Sequence, residues 1–294
     1  TVQNPASPGT LNKTTVPMDD NSTITLTITP VEPTYTHKAV WTLGTQSIAQ
    51  DIPAENTTTL TVPREWNEQV PNAVSATASV TLETYKDGVK IGEKVYPFTV
   101  TVPDDVVPTI GSFADTLVSN GVPASITKYV QNYSKVNLDI TGAQGALGST
   151  ITNYAITGGG FNATTASTTF GPLPNAGNIV FAAAVTDTRG RQASTSLTIV
   201  VQPYSKPSLL DASIFRSDIN GTAQDDGNFS RHKATAVFSS IDGQNTIVLE
   251  GRVYPKGGTP GAYTAMSSAI PAVLGGGLLM AYQTYIGEIL ITDA

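Results

Sequence analysis

Two histidines are the first residues that could take part in catalysis. They are His37, in the alternating segment HKAVWTLG, and His232, in RHKATAVF. A catalytic triad needs a nucleophile held against a histidine that an acid orients. No nucleophile-elbow motif places a serine beside either histidine. The sequence therefore predicts that both are surface or strand-edge residues.

Paired aspartates are the next candidates, because adjacent carboxylates could bind a cation. The pairs are Asp19–Asp20, Asp104–Asp105 and Asp225–Asp226, and a Ca²⁺ ion at the middle pair could stiffen a junction between domains. Asp is also common in turns, where its side chain accepts hydrogen bonds from backbone amides. None of the pairs has the spaced ligands of an EF-hand loop. The sequence favours turns here and assigns no metal ligand.

Hydrolysis of a glycosidic bond would require two carboxylates across a cleft. Glu83, Glu250 and Glu288 fall in predicted strands, but the sequence does not pair them. Two GGG segments, at 158–160 and 275–277, lack the Lys-Ser/Thr of a phosphate-binding loop and are predicted to be loop tips or bulges. The sequence therefore predicts no catalytic residue and no cofactor.

Aromatic rings could bind a sugar by stacking against its face. Trp41 lies in an alternating segment and is predicted to be a core residue, the counterpart of the buried tryptophan of a sandwich. Trp66 follows the loop-like VPRE and is freer, and Tyr282 and Tyr285 form an aromatic pair. These three remain candidates for contact with carbohydrate.

Composition excludes several classes of protein. Charged residues make up only 13% of the 294 residues, and the net charge of −7 argues against a nucleic-acid partner. There is no Cys, so each domain must be stabilised by its own core without disulfides. The longest apolar segment, 269–282, is short and broken by three Gly, which predicts no insertion into a membrane.

Period-two alternation predicts strands along the whole chain. STITLTITP at 22–30 places its Ile and Leu residues on one face and its Thr residues on the other. Further strands are predicted at 37–44 and 58–63. The segment 79–103 is predicted to be a hairpin, because Asp87-Gly88 supplies residues that tolerate positive φ in its turn. These elements define a first module at 1–104.

Two further modules follow, at 105–203 and 204–294. The clearest strands of the second are 134–142, 149–158, 178–187 and 195–201. TDTRGRQAS between the last two is predicted to be a turn, with Gly190 at positive φ and the Asp187 carboxylate accepting hydrogen bonds from turn amides. The third module has predicted strands at 209–216, 232–240, 246–254 and 282–294.

The module boundaries are two Pro-rich segments with similar surroundings. Pro103 and Pro108 flank the first, Pro203 and Pro207 flank the second, and each follows a strand-like stretch. Paired prolines stiffen such a linker by fixing φ and restricting the preceding residue. The predicted fold class is all-β, with tandem immunoglobulin-like β-sandwich modules in an extended arrangement.

The third module is predicted to lack its last strand. Its final segment, ILITDA, aligns with AAVTDT of the second module, where a turn and one more strand follow. An unpaired neighbour would leave an open sheet edge. We therefore expect that a continuation of the chain or a partner chain fills that place.

The order of several segments resembles a family of structural proteins of tailed bacteriophages, the siphoviruses. The segments are THKAVWTLG, TTLTVPREWNEQVPNA and TLETYKDGVKIGEKVYPFTVTVP, followed by SKVNLDITGAQGALGSTITNYAIT, VTDTRGRQAS and PYSKPSLLDASIFRSDINGTAQDDGNF. The resemblance covers roughly residues 20–240 and extends more loosely beyond them. Ser217 stands where the family pattern has a Cys, a change that does not threaten the fold.

This resemblance implies a virion component of the tail or tail tip, acting as a rigid spacer and contributing to host attachment. It carries over no catalytic residue. The implied partners are other virion proteins, further copies of the chain and host cell-surface carbohydrate. Two alternatives are a bacterial surface adhesin or stalk, and accessory modules of a carbohydrate-active enzyme, because a sandwich fold alone does not fix function.

Overall fold

The computed structural model describes residues 6–52, 56–118 and 121–294. Strands dominate these residues, which confirms the all-β class, and a 3₁₀ helix occupies Arg64–Gln69. The strands are β1 Gly9–Leu11, β2 Thr15–Pro17, β3 Thr23–Ile28, β4 Thr36–Leu43, β5 Gln46–Ile52, β6 Thr57–Thr61, β7 Ser75–Lys86, β8 Val89–Thr101, β9 Ser112–Val118, β10 Tyr129–Val130, β11 Lys135–Thr141, β12 Ile151–Gly158, β13 Phe161–Ala163, β14 Ser167–Phe170, β15 Gly177–Asp187, β16 Gln192–Gln202, β17 Ser208–Ser217, β18 Phe229–Val237, β19 Ile247–Pro255, β20 Thr264–Met266, β21 Ala272–Leu274 and β22 Tyr285–Asp293.

The strands form six sheets. The two five-stranded sheets have the orders β2-β8-β7-β4-β5 and β10-β16-β15-β12-β13. The three-stranded sheets are β1-β3-β6, β14-β11-β9, β17-β18-β21 and β20-β19-β22. β2 pairs parallel with β8 and β10 parallel with β16, whereas β7–β8, β12–β15 and β19–β22 are antiparallel.

Alternation of side chains along each strand builds the first core. In β3 the buried residues are Ile24, Leu26 and Ile28, as predicted. Trp41 of β4 is fully buried and meets the Phe98 ring edge-on, with 5.9 Å between centroids. The prediction that Trp41 is a core residue is therefore confirmed.

The hairpin of β7 and β8 also has the predicted turn. Asp87 and Gly88 adopt φ values of 49° and 76°. Both values lie in the left-handed region that a tight two-residue hairpin turn requires. Every residue of the two GGG segments, 158–160 and 275–277, also has a positive φ, and the segments lie in turns and at a strand end as predicted.

The prediction that both histidines lie at the surface is wrong. His37 is 4% exposed and His232 is fully buried. The cause is strand parity: His37 lies on the same face of β4 as Trp41, and His232 lies on the same face of β18 as the buried Ala234.

The chain divides into two compact units. Unit 1 comprises residues 1–114, 139–168 and 181–197, and unit 2 comprises residues 115–138, 169–180 and 198–294. The unit boundaries do not fall at the Pro-rich segments, so the division into modules 1–104, 105–203 and 204–294 stays a prediction. Each unit contains residues from both sides of one Pro-rich segment. The contacts between those residues form the candidate site.

Candidate functional site

The turn Asp187–Arg191 joins β15 to β16 and belongs to unit 1. Gly190 has φ 78°, in the left-handed region that glycine adopts readily. Asp187 Oδ1 accepts hydrogen bonds from the backbone amides of Arg189, at 3.0 Å, and Arg191, at 2.9 Å. Its Oδ2 accepts a hydrogen bond from Ser149 Oγ at 2.8 Å. The predicted role of Asp187 in the turn is confirmed.

Arg189 at the centre of this turn is a buried arginine with four carbonyl partners. Its Nε donates to Val70 O at 2.8 Å, and its Nη2 donates to Asn67 O at 2.9 Å. Nη1 donates to Ala146 O and Nη2 to Leu147 O, both at 2.5 Å. A guanidinium carries five N–H donors in a rigid plane, so one side chain can satisfy this whole set.

The carbonyls that Arg189 binds come from two different places in the chain. Asn67 and Val70 lie at the end of the 3₁₀ helix that precedes β7, and Ala146 and Leu147 lie in the loop between β11 and β12. Helix ends leave carbonyls without partners inside the helix. Arg189 supplies a donor to the Val70 carbonyl and a second donor to the Asn67 carbonyl, which also accepts from Val70 N. It therefore ties residues on either side of the first Pro-rich segment into one hydrogen-bonded cluster.

Two further contacts bring this loop close to the 3₁₀ helix. Leu147 and Ala146 pack against the first hydrophobic core. Gly148 has φ 87°, and a Cβ there would lie 3.2 Å from the Cα of Glu68. Only glycine fits that approach without displacing backbone.

The charge of the Arg189 guanidinium is affected by its burial and by the groups around it. Burial lowers the pKa of the Arg189 guanidinium, while the nearby Asp187 carboxylate opposes this effect. The positive charge is compensated by that carboxylate and by four carbonyl dipoles, because a buried charge is tolerated only when it is hydrogen-bonded.

The Asp104–Asp105 pair lies beside this cluster and faces arginines. Arg191 Nη2 donates to Val102 O at 2.8 Å and lies 3.4 Å from Asp104 Oδ1. Arg64 Nη2 lies 2.9 Å from Asp105 Oδ2, and Arg64 is the main cause of the lowered pKa of Asp105. Within the described residues, no group of three or more His, Asp or Glu side chains could hold a metal ion.

Contacts of a similar kind surround the second Pro-rich segment, inside unit 2. The rings of Tyr133 and Tyr204 meet edge-on at 5.0 Å between centroids. The Tyr204 hydroxyl donates to Asp293 Oδ2 at 3.1 Å, and burial together with this bond raises the pKa of Tyr204 to about 12. Thr127 N donates to Gln244 Oε1 at 2.8 Å.

The remaining aspartate pairs accept backbone hydrogen bonds or lie in a β-turn. Asp19 Oδ1 accepts from Ser22 N at 2.6 Å, and Asp20 Oδ1 accepts from Arg64 N at 2.7 Å. Asp225–Asp226 occupies a β-turn closed by the bond from Gly227 N to Gln224 O. The β-turn predicted at DDGN is thereby confirmed.

Two of the three glutamates are engaged in local clusters. Glu83 accepts from Lys90 Nζ at 2.5 Å and from the Tyr85 hydroxyl at 2.7 Å. Glu288 accepts from Arg252 Nε at 2.7 Å and from two tyrosine hydroxyls. Those hydrogen bonds lower the pKa of Glu288. Glu250 is half-buried in β19 and lies opposite Leu290 of β22.

Three aromatic candidates for sugar contact differ in exposure. Trp66 is 1% exposed in the first core, so the prediction that it is free is wrong: its 3₁₀ helix turns the ring inward. Tyr285 is half-buried, with Arg216 stacked 5.3 Å from its ring centroid. Tyr282 is 86% exposed and remains available for contact.

Arg189 is the residue that sequence reasoning missed. The sequence indicated a turn at TDTRGRQAS but gave no sign that its arginine would be buried. Its partners are backbone carbonyls, which leave no signature in side-chain types, and two of them lie more than a hundred residues away in the chain.

Residues 13–224 match the family described as "Siphovirus protein of unknown function (DUF859)". The chain belongs to this siphovirus family. The resemblance to siphovirus proteins inferred from the segments around Trp41, Asp87 and Asp187 is thereby confirmed. The family and the all-β fold support a structural protein of the phage and suggest a virion location and a non-enzymatic role.

No curated protein sequence matches the chain. Similar solved structures include a Ca²⁺-stabilised adhesin that helps an Antarctic bacterium bind ice, with 11% identity, 97% of this chain and 72% of that chain covered, and a TM-score of 0.32. A second bacterial ice-binding adhesin has 11% identity, 98% coverage of both chains and a TM-score of 0.36. Protocadherin gammaB7 has 11% identity, coverage of 82% and 58%, and a TM-score of 0.34. Likenesses at these scores say nothing about what this chain binds.

No helix in the described part of the chain has the length and apolar character needed to span a bilayer.

Proposed function

We propose that the siphovirus chain is a component of the tail or tail tip, where it acts as a stiff spacer and contributes to host attachment. The observation that carries the proposal is the burial of Arg189 among four carbonyls from both sides of the first Pro-rich segment. A spacer must keep successive modules from bending against each other. A planar, multiply bonded side chain at a junction opposes such bending, since every bond must lengthen together.

The prolines support the same role. Pro103 and Pro108 fix the backbone on either side of Asp104–Asp105, and both aspartates face arginines. A linker restricted in this way behaves as a semi-rigid spacer. We propose that the modules follow one another in an extended arrangement and that several copies act together, which would raise the avidity of weak contacts.

Contact with the host is proposed at the loop 275–284 of the third module. Leu278 is 77% and Tyr282 is 86% exposed, while Leu279 between them is buried. Arg216 holds the loop by donating to Met280 O at 2.7 Å and Gln283 O at 2.8 Å. An ordered loop with an exposed ring suits cell-surface carbohydrate, because less conformational entropy is lost on binding.

Electron cryo-microscopy of intact virions, with the chain traced into the density, tests the proposal. Modules projecting from the tail tip would support a spacer with host contact. Modules lying along the tail tube or on the capsid would overturn host attachment and make the protein a decoration. Absence of the chain from all particles would overturn the virion role and favour a surface adhesin.

An activity assay tests the non-enzymatic role separately. The purified chain is incubated with host cell-wall polysaccharide, and reducing ends are measured. We expect no release above that from heat-denatured protein. Release that persists through purification would contradict the proposal and favour a chain that belongs to a carbohydrate-active enzyme.

A further inference from the structure

The third module contains a sheet that ends in a long strand with one open edge. β22 pairs antiparallel with β19 along its whole length, from Tyr285 opposite Pro255 to Asp293 opposite Ile247. In the order β20-β19-β22 it is the outer strand. Within residues 6–52, 56–118 and 121–294, no strand pairs with its other edge.

The two five-stranded sheets show what belongs at that edge. Read from the other edge, their orders are β5-β4-β7-β8-β2 and β13-β12-β15-β16-β10. The sheet β20-β19-β22 matches the first three strands of each order. β22 therefore holds the place of β7 and β15. In the first sheet β7 pairs antiparallel with β8, and β16 neighbours β15 in the second. The β20-β19-β22 sheet shows no strand in that position.

The ends of β15 and β22 correspond residue by residue. Asp187 is the last residue of β15, and Asp293 is the last residue of β22. Asp187 accepts a hydrogen bond from Ser149 in the loop before β12, and Asp293 accepts one from Asn245 in the loop before β19, at 3.1 Å. The correspondence therefore rests on contacts as well as on strand order.

Burial at the open edge differs from burial in the two complete sheets. Ile291 lies opposite the buried Leu249, and a Cβ on Gly287 would lie 2.6 Å from Ile214 Cγ2. The alternate residues of β22 that include Gly287 and Ile291 therefore face inward. No residue of β22 is fully buried, and Ile289 and Ile291 are only partly buried. The inward residues of β7 and β15 are at most 2% exposed at Ala78, Val80, Leu82, Phe181, Ala183 and Val185.

β22 also lacks the features that usually protect an edge strand. Natural edges carry Lys, Pro or bulges that prevent pairing with another strand. β22 contains none of these residues, and its pairing with β19 has no register shift. Its charged Glu288 is bound by Arg252 on the outward face. β17, another outer strand, has a register shift between Leu209 and Asp211.

We propose that the open edge of β22 is a strand-acceptor site for one extended polypeptide segment of the β8 and β16 type. The segment runs antiparallel to β22 and is apolar at every second residue. Its backbone pairs with β22, and its apolar side chains cover Ile289 and Ile291. Addition of a strand to an exposed edge is an established mode of recognition.

A second copy of β22 is the competing occupant. Two β22 strands related by a two-fold axis would also pair antiparallel. However, the inward face of the second β22 already packs against the β17-β18-β21 sheet of its own copy, where a Cβ on Gly287 would meet Ile214 and His232. That face would not cover the partly buried side chains of the first copy, whereas a single strand with a free apolar face would.

Tethering a strand to the chain tests the site. Residues 189–202 are appended after Ala294, because Asp293 corresponds to Asp187 and the added sequence then supplies a turn and β16. The control appends the same residues in an order without apolar alternation. We expect amide hydrogen exchange in β22 to slow about tenfold or more in the fusion that carries residues 189–202 in their native order, because its β22 amides become hydrogen-bonded. The control fusion should show no such slowing. Exchange in β3 and β4 should be equal in both fusions.

Two results would overturn the proposal. One is equal β22 exchange in both fusions. The other is a dimer of the unmodified 294-residue chain in light scattering, in which the β22 amides are already protected from exchange. If Leu290→Lys then gives monomers whose β22 amides exchange freely, the edge belongs to a second copy. The test is independent of the proposed virion role, because neither readout depends on where the chain resides.

Discussion

At the scale of single residues, Arg189 differs from the other paired arginines in where its partners lie. Arg64, which pairs with the exposed Asp105, has a side chain that is 34% exposed. Exposed pairs of that kind contribute little, because water screens them and two long side chains must be ordered. Arg189 is 7% exposed and its partners are backbone carbonyls, so its removal would leave the Val70 and Leu147 carbonyls without donors, whereas Asn67 O and Ala146 O keep backbone donors.

Replacement of Arg189 should therefore destabilise the chain more than replacement of its exposed neighbour. We expect Arg189→Ala to lower the free energy of unfolding by about 3 kcal/mol or more, since each unsatisfied buried acceptor costs about 1–3 kcal/mol. Arg64→Ala is the matched control and should have little or no effect. Urea denaturation followed by tryptophan fluorescence measures both. Equal effects of the two variants would contradict a special role for Arg189.

The buried histidines make a second prediction at this scale. Burial lowers the pKa of His37 and of His232, although a hydrogen bond from the His232 ring to the backbone of Glu288 partly opposes the effect at His232. We expect NMR titration of the imidazole Cε1–H signals to give pKa values below the ordinary value of about 6.5. A value at or above 6.5 for His232 would show that the ring is solvated.

The direction of the resulting pH dependence follows from proton binding. Below about pH 6.5 the unfolded chain binds protons at these histidines while the folded chain does not. Their contribution to stability is therefore complete above that pH and decreases as the pH falls toward the folded pKa. We expect His232→Asn to reduce the slope of unfolding free energy against pH between 7 and 5. An unchanged slope would assign it to other groups.

At the scale of secondary structure, strand alternation predicted most of the fold. The segments 37–44, 178–187 and 246–254 became Thr36–Leu43, Gly177–Asp187 and Ile247–Pro255, within one residue at each end. Most of their inward side chains are apolar, which is a local property that the sequence records, although Val180 and Val248 lie on the outward face. Three-residue strands such as β1 and β13 were missed, because so few residues cannot establish a period.

The candidate site was less predictable than the strands for a different reason. The turn at Asp187–Arg191 was visible because Asp and Gly have local conformational preferences. The burial of Arg189 and Trp66 depends on residues that become neighbours only after folding. The burial of both histidines follows from strand parity, since they share a face with Trp41 and Ala234, whereas residue type alone favours the surface.

The turn itself can be tested separately from the arginine it presents. Gly190 has φ 78° and a Cβ there would meet nothing within 4 Å, so Gly190→Ala changes only the backbone energy. We expect a loss of about 1 kcal/mol of stability, the usual cost of a left-handed alanine. Gly261→Ala is the matched control, because that site is equally open and has no positive φ, and it should be neutral. Equal effects would mean that the turn relaxes.

At the scale of the whole molecule, the proposed spacer function requires that the two Pro-rich segments do not act as hinges. Each is surrounded by contacts inside one compact unit: Arg189 in unit 1, and the Tyr133–Tyr204 pair with Asp293 in unit 2. Hinges occur where few contacts oppose a change in backbone angles. Stiff junctions are therefore expected at both segments.

Small-angle X-ray scattering tests whether three modules with stiff junctions form an extended chain. A compact globule of 294 residues would have a radius of gyration of about 19 Å. We expect a clearly larger value for the wild-type chain, and a distance distribution that changes little with temperature below the unfolding transition.

Arg189→Ala should broaden that distribution, because removing the shared donors frees the first junction, whereas Arg64→Ala should not. A wild-type value near 19 Å would rule out the extended arrangement and with it the spacer, while leaving family membership and the strand-acceptor site unaffected. Broadening without unfolding of either compact unit would show that Arg189 acts on the junction and not on the folding of a single module.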